Sequence, residues 1–494
     1  MRAVITRDRV LRPFYLSQTG EAVRRRGALS AIGSLVLAAC SGLPTSLAIA
    51  PAPAPATPMP HIIFVHGNGD SAALWSTTLW RFESNGWPRE KLHALQLILP
   101  QARSDDRVAQ AGRSSTGDQM QQITAAVDQV RRSNAGAPVV LMGNSRGGLS
   151  IRNYIQNGGG DKTVSHAVLG GTPNHGTWND PASLPGSEFN GASPFLMALN
   201  APQGPAALEV TPGLKWLTIR SDNNDKYAQP DGLWIGSKGK PTNVSFDSPA
   251  LKGASNVVLP ARDHREVSFH PEAFAAAFEF ITGFAPRVTG ITPEMNVTLN
   301  GQVTSIAAGV PTNQPMPGTR VKVFGVAADS GARQGPALVD KLIGADGQWG
   351  PLRTDSRTAL EFVVEVSTGA DNKITEITHI YRSPFLRSSD VVHLRPQRLA
   401  ETDRTAASVL TFTRPRGYFG LPRDSVLLDG STAPGIPPGV AGVASSKLKL
   451  DSGAGRPVVA EYRSGGLSER LVGVAWPATD GAGAEHNVVL ELHL

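Results

Sequence analysis

A serine flanked by glycines is the strongest candidate for covalent chemistry in the sequence. It lies in G-N-S-R-G at 143–147, after an apolar run at 138–142 that predicts a buried strand and before 147–154, which has helical spacing. Such a turn presents the Ser145 hydroxyl above the sheet, where the helix N-terminus favours developing negative charge. Residues without a Cβ are needed beside it because the turn is crowded. The pattern predicts a nucleophilic Ser145; the competing interpretation is a glycine-rich turn with an idle serine.

A nucleophilic serine needs a base, often histidine, and a carboxylate that orients the histidine ring. The loop after the predicted strand 214–219 carries three carboxylates, Asp222, Asp225 and Asp231. The loop after the predicted strand 256–259 contains His264, just before an amphipathic helix predicted at 271–281. The nearby alternatives to these residues are His175, Asp263 and His270.

Apolar runs alternate with helical patterns from residue 61 to about 284, which predicts parallel β/α architecture. The predicted strands are 62–65, 95–99, 138–142, 164–169, 214–219 and 256–259, and a helix is predicted at 119–132. After 286 the pattern changes to short β-branched runs separated by Gly, Pro, Asp and Asn, such as 320–326, 360–366 and 374–381. We therefore predict an α/β domain followed by antiparallel all-β domains.

Together these segments resemble the α/β-hydrolase superfamily of lipases and esterases. The similarity rests on H-G at 66–67 after the first strand, G-N-S-R-G-G at 143–148, the loop around Asp225, and His264. The whole chain resembles two-domain bacterial and archaeal lipases with a β-rich C-terminal domain, through segments 317–324, 345–351 and 381–388. Asn144 and Arg146 replace the His and Met that are more frequent around lipase serines, which leaves the substrate open.

The resemblance implies an α/β-hydrolase catalytic domain and the chain order serine, acid, histidine. It selects Asp225 over Asp222, because the spacing from Ser221 is similar to that in the acid loop of lipases. His66 is expected to hold its loop. The implied catalytic residues are Ser145, Asp225 and His264, and the implied oxyanion-hole donors are the backbone N–H groups of Asn68 and Arg146.

Charge and composition argue against nucleic-acid and metal partners. The formal net charge of the 494 residues is +6, but seven arginines against two carboxylates in residues 1–39 supply five of these charges. The remainder has no basic field that would attract polyanions. The segment 222–225 fails the EF-hand spacing, and no Cys/His cluster suggests zinc. We expect an ester or lipid substrate, no cofactor and no metal.

The N-terminus has the three parts of an export signal. A basic region ends in three arginines at 24–26, an apolar run follows at 28–39, and small residues precede Cys40. The arginines are similar to a twin-arginine signal, although G-A follows them. Cys40, the only cysteine, comes directly after L-A-A and resembles a lipobox cysteine. We expect export and membrane attachment through lipidated Cys40, at the outer membrane or cell surface; the alternative is a secreted or periplasmic enzyme.

The predicted domain boundaries follow from these patterns. They are a signal peptide at 1–40, a Pro/Ala-rich tether at 41–60, an α/β-hydrolase domain at 61–286, a β-sandwich-like module at 287–396 and a second β module at 397–494. The segment 178–199 has the composition of a lid, with Phe189, Phe195 and Met197 among small residues. An equally good interpretation places a core-packing helix at 194–199.

Three functions fit the sequence. The leading one is a lipase or carboxylesterase that acts on lipid acyl esters through an acyl-enzyme. An extracellular polyester depolymerase is an alternative that uses the same residue types. A surface-attached binding protein with a decayed hydrolase domain belongs to another class, and the ordered serine, acid and histidine argue against it. Because the catalytic candidates all precede residue 286, the β modules are expected to bind or shield substrate.

Overall fold

The computed structural model describes residues 59–367 and 373–494. The predicted export signal, Cys40 and nearly all of the tether lie outside the described residues. Thr57–Leu494 is one compact unit, so the α/β part and the β region that follows it share a single contact network. No helix in the described ranges combines the length and the apolar character needed to cross a bilayer.

A parallel sheet forms the centre of the α/β part. The strands up to residue 286 are β1 (Ile62–Val65), β2 (Leu92–Leu95), β3 (Gln101–Ala102), β4 (Arg113–Ser114), β5 (Val139–Asn144), β6 (Val164–Gly170), β7 (Lys215–Ser221) and β8 (Ser255–Leu259). The strand order in the central sheet is β2-β1-β5-β6-β7-β8, and every neighbouring pair is parallel. The α-helices are α1 (Ser76–Ser84), α2 (Thr116–Arg132), α3 (Arg146–Asn157), α4 (Pro194–Leu199), α5 (Glu266–Phe269) and α6 (Pro271–Thr282).

Helices cover both faces of this sheet. Phe82 of α1 and Phe274 of α6 pack with Phe64 on one face. Ile123 of α2 and Ile151 of α3 pack on the other face. Strands that are buried on both sides read as continuous apolar runs, which is why 62–65 and 138–142 were recognisable in the sequence.

One predicted strand is wrong. Residues 95–99 are apolar except for Gln96, but β2 covers Leu92–Leu95 and the chain then leaves the sheet. The Gln96 side chain accepts the Ala72 N–H at 2.7 Å, and the Leu97 N–H donates to His66 Nε2 at 3.1 Å. Leu97 is fully buried in a loop. Its apolar side chain is therefore explained by burial and not by membership of a strand.

The β region contains two larger sheets. A seven-stranded sheet has the order β13-β12-β15-β16-β23-β17-β20, and a four-stranded sheet has the order β19-β18-β21-β22. The strands are β9 (Val297–Leu299), β10 (Thr304–Ala307), β11 (Val310–Pro315), β12 (Arg320–Val326), β13 (Val339–Leu342), β14 (Leu352–Thr354), β15 (Ala359–Ser367), β16 (Ile374–Arg382), β17 (Ser408–Thr413), β18 (Ser425–Leu428), β19 (Ser431–Thr432), β20 (Ser445–Leu450), β21 (Pro457–Ser464), β22 (Leu467–Val474) and β23 (Glu485–Glu491). Pairing is antiparallel except for the two neighbours of β23.

The last strand joins the two predicted β modules. β23 lies between β16 and β17 and is parallel to both. Backbone hydrogen bonds therefore cross the predicted boundary between 396 and 397. Strands from both modules form one sheet, and a cut at this boundary would leave β23 without a neighbour on one side.

The β region also contacts the α/β part along buried polar groups. Asn313 Nδ2 donates to Asp70 O at 2.9 Å and to Leu97 O at 2.8 Å. Trp80 Nε1 donates to Ser388 O at 2.9 Å. The two Asn313 bonds satisfy carbonyls of the loops after β1 and β2, and the Trp80 bond satisfies a carbonyl of the β region. The β region therefore helps to fix the edge of the sheet at which the candidate site lies.

Candidate active site

Ser145 lies on a strained turn between β5 and α3. Its φ is 53° and its ψ is −123°, a conformation that L residues rarely adopt and that costs about 1–3 kcal/mol. Its N–H donates to Gly170 O at 2.8 Å on the neighbouring strand, and its side chain is buried. A Cβ at Gly143 would lie 2.8 Å from Gly148 N, and one at Gly147 would lie 2.6 Å from His66 O. Close backbone approach therefore explains both motif glycines.

His264 and Asp225 form a direct pair at the same edge of the sheet. His264 Nδ1 lies 2.8 Å from Asp225 Oδ2 and 3.0 Å from Oδ1. Asp225 also accepts the Tyr227 N–H at 2.8 Å, which fixes the carboxylate at the start of a helical turn. The Tyr227 ring packs edge-on against the imidazole, with 4.6 Å between centroids. Among the described residues, His264 Nε2 has no hydrogen-bond partner although it is buried.

The other candidate residues are bound elsewhere. Asp222 accepts the N–H groups of Asn224 and Ala261, at 3.0 and 2.9 Å, and thereby joins the loops after β7 and β8. His175 Nε2 lies 3.1 Å from Glu209 Oε1. His270 caps α6, and burial lowers its pKa to about 4. The structure brings none of these three to Ser145, whereas His264 lines the same pocket as Ser145.

Asp231 and Asp263 also have partners other than His264. Asp231 accepts the Leu233 N–H at 3.1 Å in a surface turn. Asp263 is fully buried and binds Arg414 of the β region at 2.9 Å. The residue before His264 is therefore part of a buried ion-pair group and is not among the residues that line the pocket of Ser145.

The predicted oxyanion-hole donors lie on both sides of Ser145. Asn68 lines the pocket, and its side chain is fixed by Gln101, at 3.1 Å, and by the Ala102 N–H, at 2.7 Å. Gly67 brings this loop so close that a Cβ there would be 3.0 Å from Ser145 Cβ. Arg146 is the first residue of α3, and the first N–H groups of a helix have no intrahelical acceptor. Asn68 thus lines the pocket of Ser145, and Arg146 follows the serine directly.

His66 holds the loop after β1, which carries Asn68, in place. Burial lowers its pKa to about 4, so the ring is neutral near pH 7. Nε2 accepts the Leu97 N–H at 3.1 Å, which leaves the proton on Nδ1, 3.0 Å from Gly67 O. This bonding agrees with the structural role expected from the sequence.

The two unusual residues beside Ser145 have clear contacts. Asn144 Nδ2 donates to Ser268 Oγ at 2.8 Å and to His264 O at 3.4 Å, so it joins the serine turn to the histidine loop. The Arg146 side chain is buried and forms an ion pair with Glu188. Burial raises the pKa of Glu188, and Arg146 opposes that shift. Glu188 was not singled out in the sequence, because the burial of Arg146, which calls for a counter-charge, becomes visible only in the structure.

The pocket next to Ser145 has a volume of about 170 Å³ and a mostly apolar wall. Trp178 and Phe189 of the lid-like segment contribute to it, and so does Tyr418 of the β region. Two leucines of α4, Leu196 and Leu199, pack on Leu149 of α3, whereas Leu184 and Met197 of the same segment are exposed. The helix interpretation of 194–199 therefore holds, and the aromatic residues before it line the site.

Comparisons with known proteins agree with the architecture. The α/β part of the chain has the α/β-hydrolase fold. Residues 61–206 match the family model for palmitoyl protein thioesterase, and residues 295–399 match the model for the lipase C-terminal domain. Each model covers less than half of the chain, and the first includes Ser145 but ends before Asp225 and His264. No curated protein matches the chain.

Several solved structures are similar at low identity. Lipase B of Aspergillus fumigatus is 18% identical over 46% of this chain and 54% of its own, with a TM-score of 0.31. A gene product of Listeria innocua is 18% identical over 46% of this chain and 96% of its own, with a TM-score of 0.31. A lipase of Bacillus licheniformis is 18% identical over 47% and 95%, also at 0.31.

In the ranges 59–367 and 373–494, no group of three or more His, Cys, Asp or Glu side chains is arranged to hold a metal ion. The chemistry available at this edge of the sheet is that of a buried serine, a histidine with one free nitrogen, and backbone N–H donors.

Proposed function

We propose that the chain is a serine ester hydrolase of the lipase or carboxylesterase type, with Ser145, His264 and Asp225 as its catalytic triad. One observation carries the proposal. His264 has one ring nitrogen bound to Asp225, while the other has no partner in the described residues and the ring shares a pocket with the strained Ser145. This is the division of roles that a general base needs.

The acylation step follows from this arrangement. Ser145 Oγ attacks the ester carbonyl and transfers its proton to His264 Nε2. The N–H groups of Asn68 and Arg146 stabilise the resulting oxyanion. The imidazolium then gives its proton to the leaving alcohol, and Ser145 remains as the acyl ester. Asp225 stabilises the charged imidazole throughout.

Deacylation reverses the roles with water. His264 Nε2 takes a proton from a water molecule, which attacks the acyl carbonyl. The tetrahedral intermediate collapses, the proton passes to Ser145 Oγ, and the carboxylic acid leaves. No cofactor enters either step.

The apolar wall of the pocket favours the acyl part of a lipid ester as substrate. Trp178, Phe189 and Tyr418 offer rings to a hydrocarbon chain, and each buried CH₂ contributes about 0.8 kcal/mol. The match of residues 61–206 to palmitoyl protein thioesterases favours acyl thioesters as a second candidate. A polyester remains the alternative bulk substrate, and a decayed binding protein would show no turnover of any of them.

For the location we propose export with lipidation at Cys40. The support is the L-A-A-C sequence after an apolar run, at 37–40. Radiolabelled palmitate should enter the protein and should be lost in Cys40→Ala. A mature N-terminus elsewhere than Cys40 would contradict lipidation.

A substrate panel tests the function. It should contain p-nitrophenyl butyrate, a long-chain triglyceride, an S-palmitoyl peptide and a solid polyester film, each measured with the wild-type protein and with Ser145→Ala. We expect ester turnover that Ser145→Ala abolishes. Thioester turnover without oxyester turnover would select the second candidate, and no turnover of any substrate would contradict the proposal.

A further inference from the structure

Two carboxylates on either side of His264, those of Asp263 and Glu266, each accept the backbone N–H of the other residue. Asp263 Oδ1 accepts the N–H groups of Arg265 and Glu266, at 2.8 and 2.9 Å. In return, Glu266 Oε2 accepts the Asp263 N–H at 2.7 Å. His264 lies inside this reciprocal pair, so the positions of the two carboxylates fix the backbone from which the imidazole projects.

The outer oxygens of the same carboxylates bind one arginine of the β region. Arg414 NH1 donates to Asp263 Oδ2 at 2.9 Å, and Arg414 NH2 donates to Glu266 Oε1 at 2.6 Å. The side chain of Arg414 is fully buried, as is that of Asp263, and Glu266 is nearly so. One planar guanidinium therefore bridges the residues immediately before and two positions after His264. Lysine would not reproduce this geometry, because all its N–H donors radiate from one nitrogen, whereas the two bonds of Arg414 leave two separate nitrogens of a rigid plane.

Arg423 adds a second, more exposed contact. Arg423 NH1 donates to Glu266 Oε2 at 2.7 Å and to Ala261 O at 3.2 Å. The Tyr418 N–H donates to Asp263 Oδ2 at 2.8 Å, and the Tyr418 carbonyl accepts from Arg414 at 2.9 Å. The β-region loop that binds the carboxylates thus also brings Tyr418 to the pocket wall.

The direct ion-pair partners of Asp263 and Glu266 come from the β region. Burial alone would raise the pKa of Glu266, but Arg414 and Arg423 outweigh it and lower the value to about 2. Burial and the Glu266 carboxylate raise the pKa of Asp263. Without Arg414, Asp263 and Glu266 would keep only the more exposed Arg423 as an ion-pair partner, and we expect the segment to rearrange.

We propose that Arg414 is a positioning residue for His264, which places the imidazole through Asp263 and Glu266. The inference rests on the proposed function, in which His264 is the general base. It assigns to the β region a part in the chemical step that is separate from contact with the acyl chain. A small displacement of a general base is costly, since a shift of about 1 Å can lower a rate about 100-fold.

A matched control separates positioning from general attachment of the β region. Arg387 also joins the two parts, through Glu83 of α1 at 2.8 Å and Glu294 at 2.9 Å. Its hydrogen bonds in the described residues go to Glu83, Thr292 and Glu294, outside the segment 261–268. Arg387→Met and Arg414→Met each remove one arginine that bridges two carboxylates, but only the second touches the histidine segment.

The experiment uses the full-length chain and p-nitrophenyl butyrate. kcat, KM, the rate of labelling by a serine-directed phosphonate and the thermal midpoint are measured for wild type, Ser145→Ala, Arg387→Met, Arg414→Met and Arg414→Lys. We expect Arg414→Met to lower kcat and the labelling rate together by about 10- to 100-fold with KM nearly unchanged. Arg414→Lys should recover only part of this, and Arg387→Met should keep the wild-type kcat even if its midpoint falls.

Equal losses of kcat in Arg414→Met and Arg387→Met, or wild-type kcat in Arg414→Met, would overturn the inference. If Arg414→Met does not fold, Arg423→Met takes its place in the comparison with Arg387→Met. We then expect a smaller loss of kcat, again with KM nearly unchanged. Failure of the proposed function is distinguishable, because wild type and Ser145→Ala would then hydrolyse the ester equally.

Discussion

Two aspartates in one loop illustrate how residue type alone leaves roles open. Asp222 and Asp225 lie three positions apart after β7, and the structure gives them different partners. The Asp222 oxygens accept backbone N–H groups of Asn224 and Ala261. The Asp225 oxygens contact the His264 ring. A carboxylate saturated by backbone donors stabilises loops, whereas one that accepts from imidazole can stabilise an imidazolium.

The first prediction follows from this contrast. Asp225→Asn should lower kcat by about 10⁴, because the amide neither stabilises the imidazolium nor selects the reactive tautomer. Asp222→Asn is the matched control and should keep most of its turnover, since its amide oxygen can still accept a backbone N–H. Steady-state kinetics of both variants on the same ester give the answer. A silent Asp225→Asn combined with an inactive Asp222→Asn would show that the acid is assigned wrongly.

At the residue scale, the sequence allowed the site candidates to be located only where they follow a predicted strand. Ser145 and the loops that carry Asp225 and His264 could be located because each follows an apolar run, at the edge where parallel strands end. The choice of Asp225 over Asp222 rested on the resemblance to the acid loop of lipases. Glu188 and Tyr418 could not be located in this way. Their partners are distant in sequence, and neither residue has a local pattern that distinguishes it from a surface side chain.

At the scale of elements, burial explains both the correct and the wrong expectations. Runs buried on two faces, such as β5, were recognisable by continuous apolar character. The strand expected at 95–99 failed because Leu97 is buried outside the sheet. The position of β23 between β16 and β17 could not be predicted, because strand order in a sheet depends on pairing between segments far apart in the chain.

The second prediction concerns β23. Leu490 is fully buried among the side chains of the C-terminal β core. Leu490→Ala should lower the free energy of unfolding by about 2–5 kcal/mol through lost burial and a residual cavity. Leu342 of β13 is 65% exposed, so Leu342→Ala should have little effect. Urea denaturation of both variants tests this; equal midpoints would contradict the central placement of β23.

For the whole molecule, buried histidines set the acid limit of stability. Burial lowers the pKa of His66 and His270 to about 4, and that of His393 and His493 to about 3. In the unfolded chain these rings bind protons below about pH 6.5. Between pH 6.5 and 4 the unfolded state therefore binds more protons, and stability falls as the pH falls.

The third prediction is the corresponding pH profile. The free energy of unfolding should be highest above pH 6.5 and should decline steadily towards pH 4, since one pKa unit corresponds to about 1.4 kcal/mol per group. Urea denaturation at pH 7.5, 6.5, 5.5 and 4.5 measures the slope. A constant free energy from pH 7.5 down to 4.5 would show that these rings are not buried and neutral in the folded protein.

The interface also changes what truncation should do. From the sequence alone, removal of the β modules was expected to affect substrate binding only. The structure shows that Asp263, Glu266 and Arg81 bind groups beyond residue 286. As a fourth prediction, a chain that ends at Pro286 should lose short-chain ester turnover as well, because it exposes unpaired charges beside His264. A folded truncate with full turnover of a butyrate ester would contradict this.

The most direct test of the central claim is to identify the nucleophile. A serine-directed phosphonate is incubated with the wild-type protein, and the labelled peptide is identified by mass spectrometry. The account predicts one adduct, on Ser145, that forms in step with the loss of ester turnover and is absent from folded Ser145→Ala. Full ester turnover by Ser145→Ala, or an adduct on another residue that accounts for the inactivation, would contradict it.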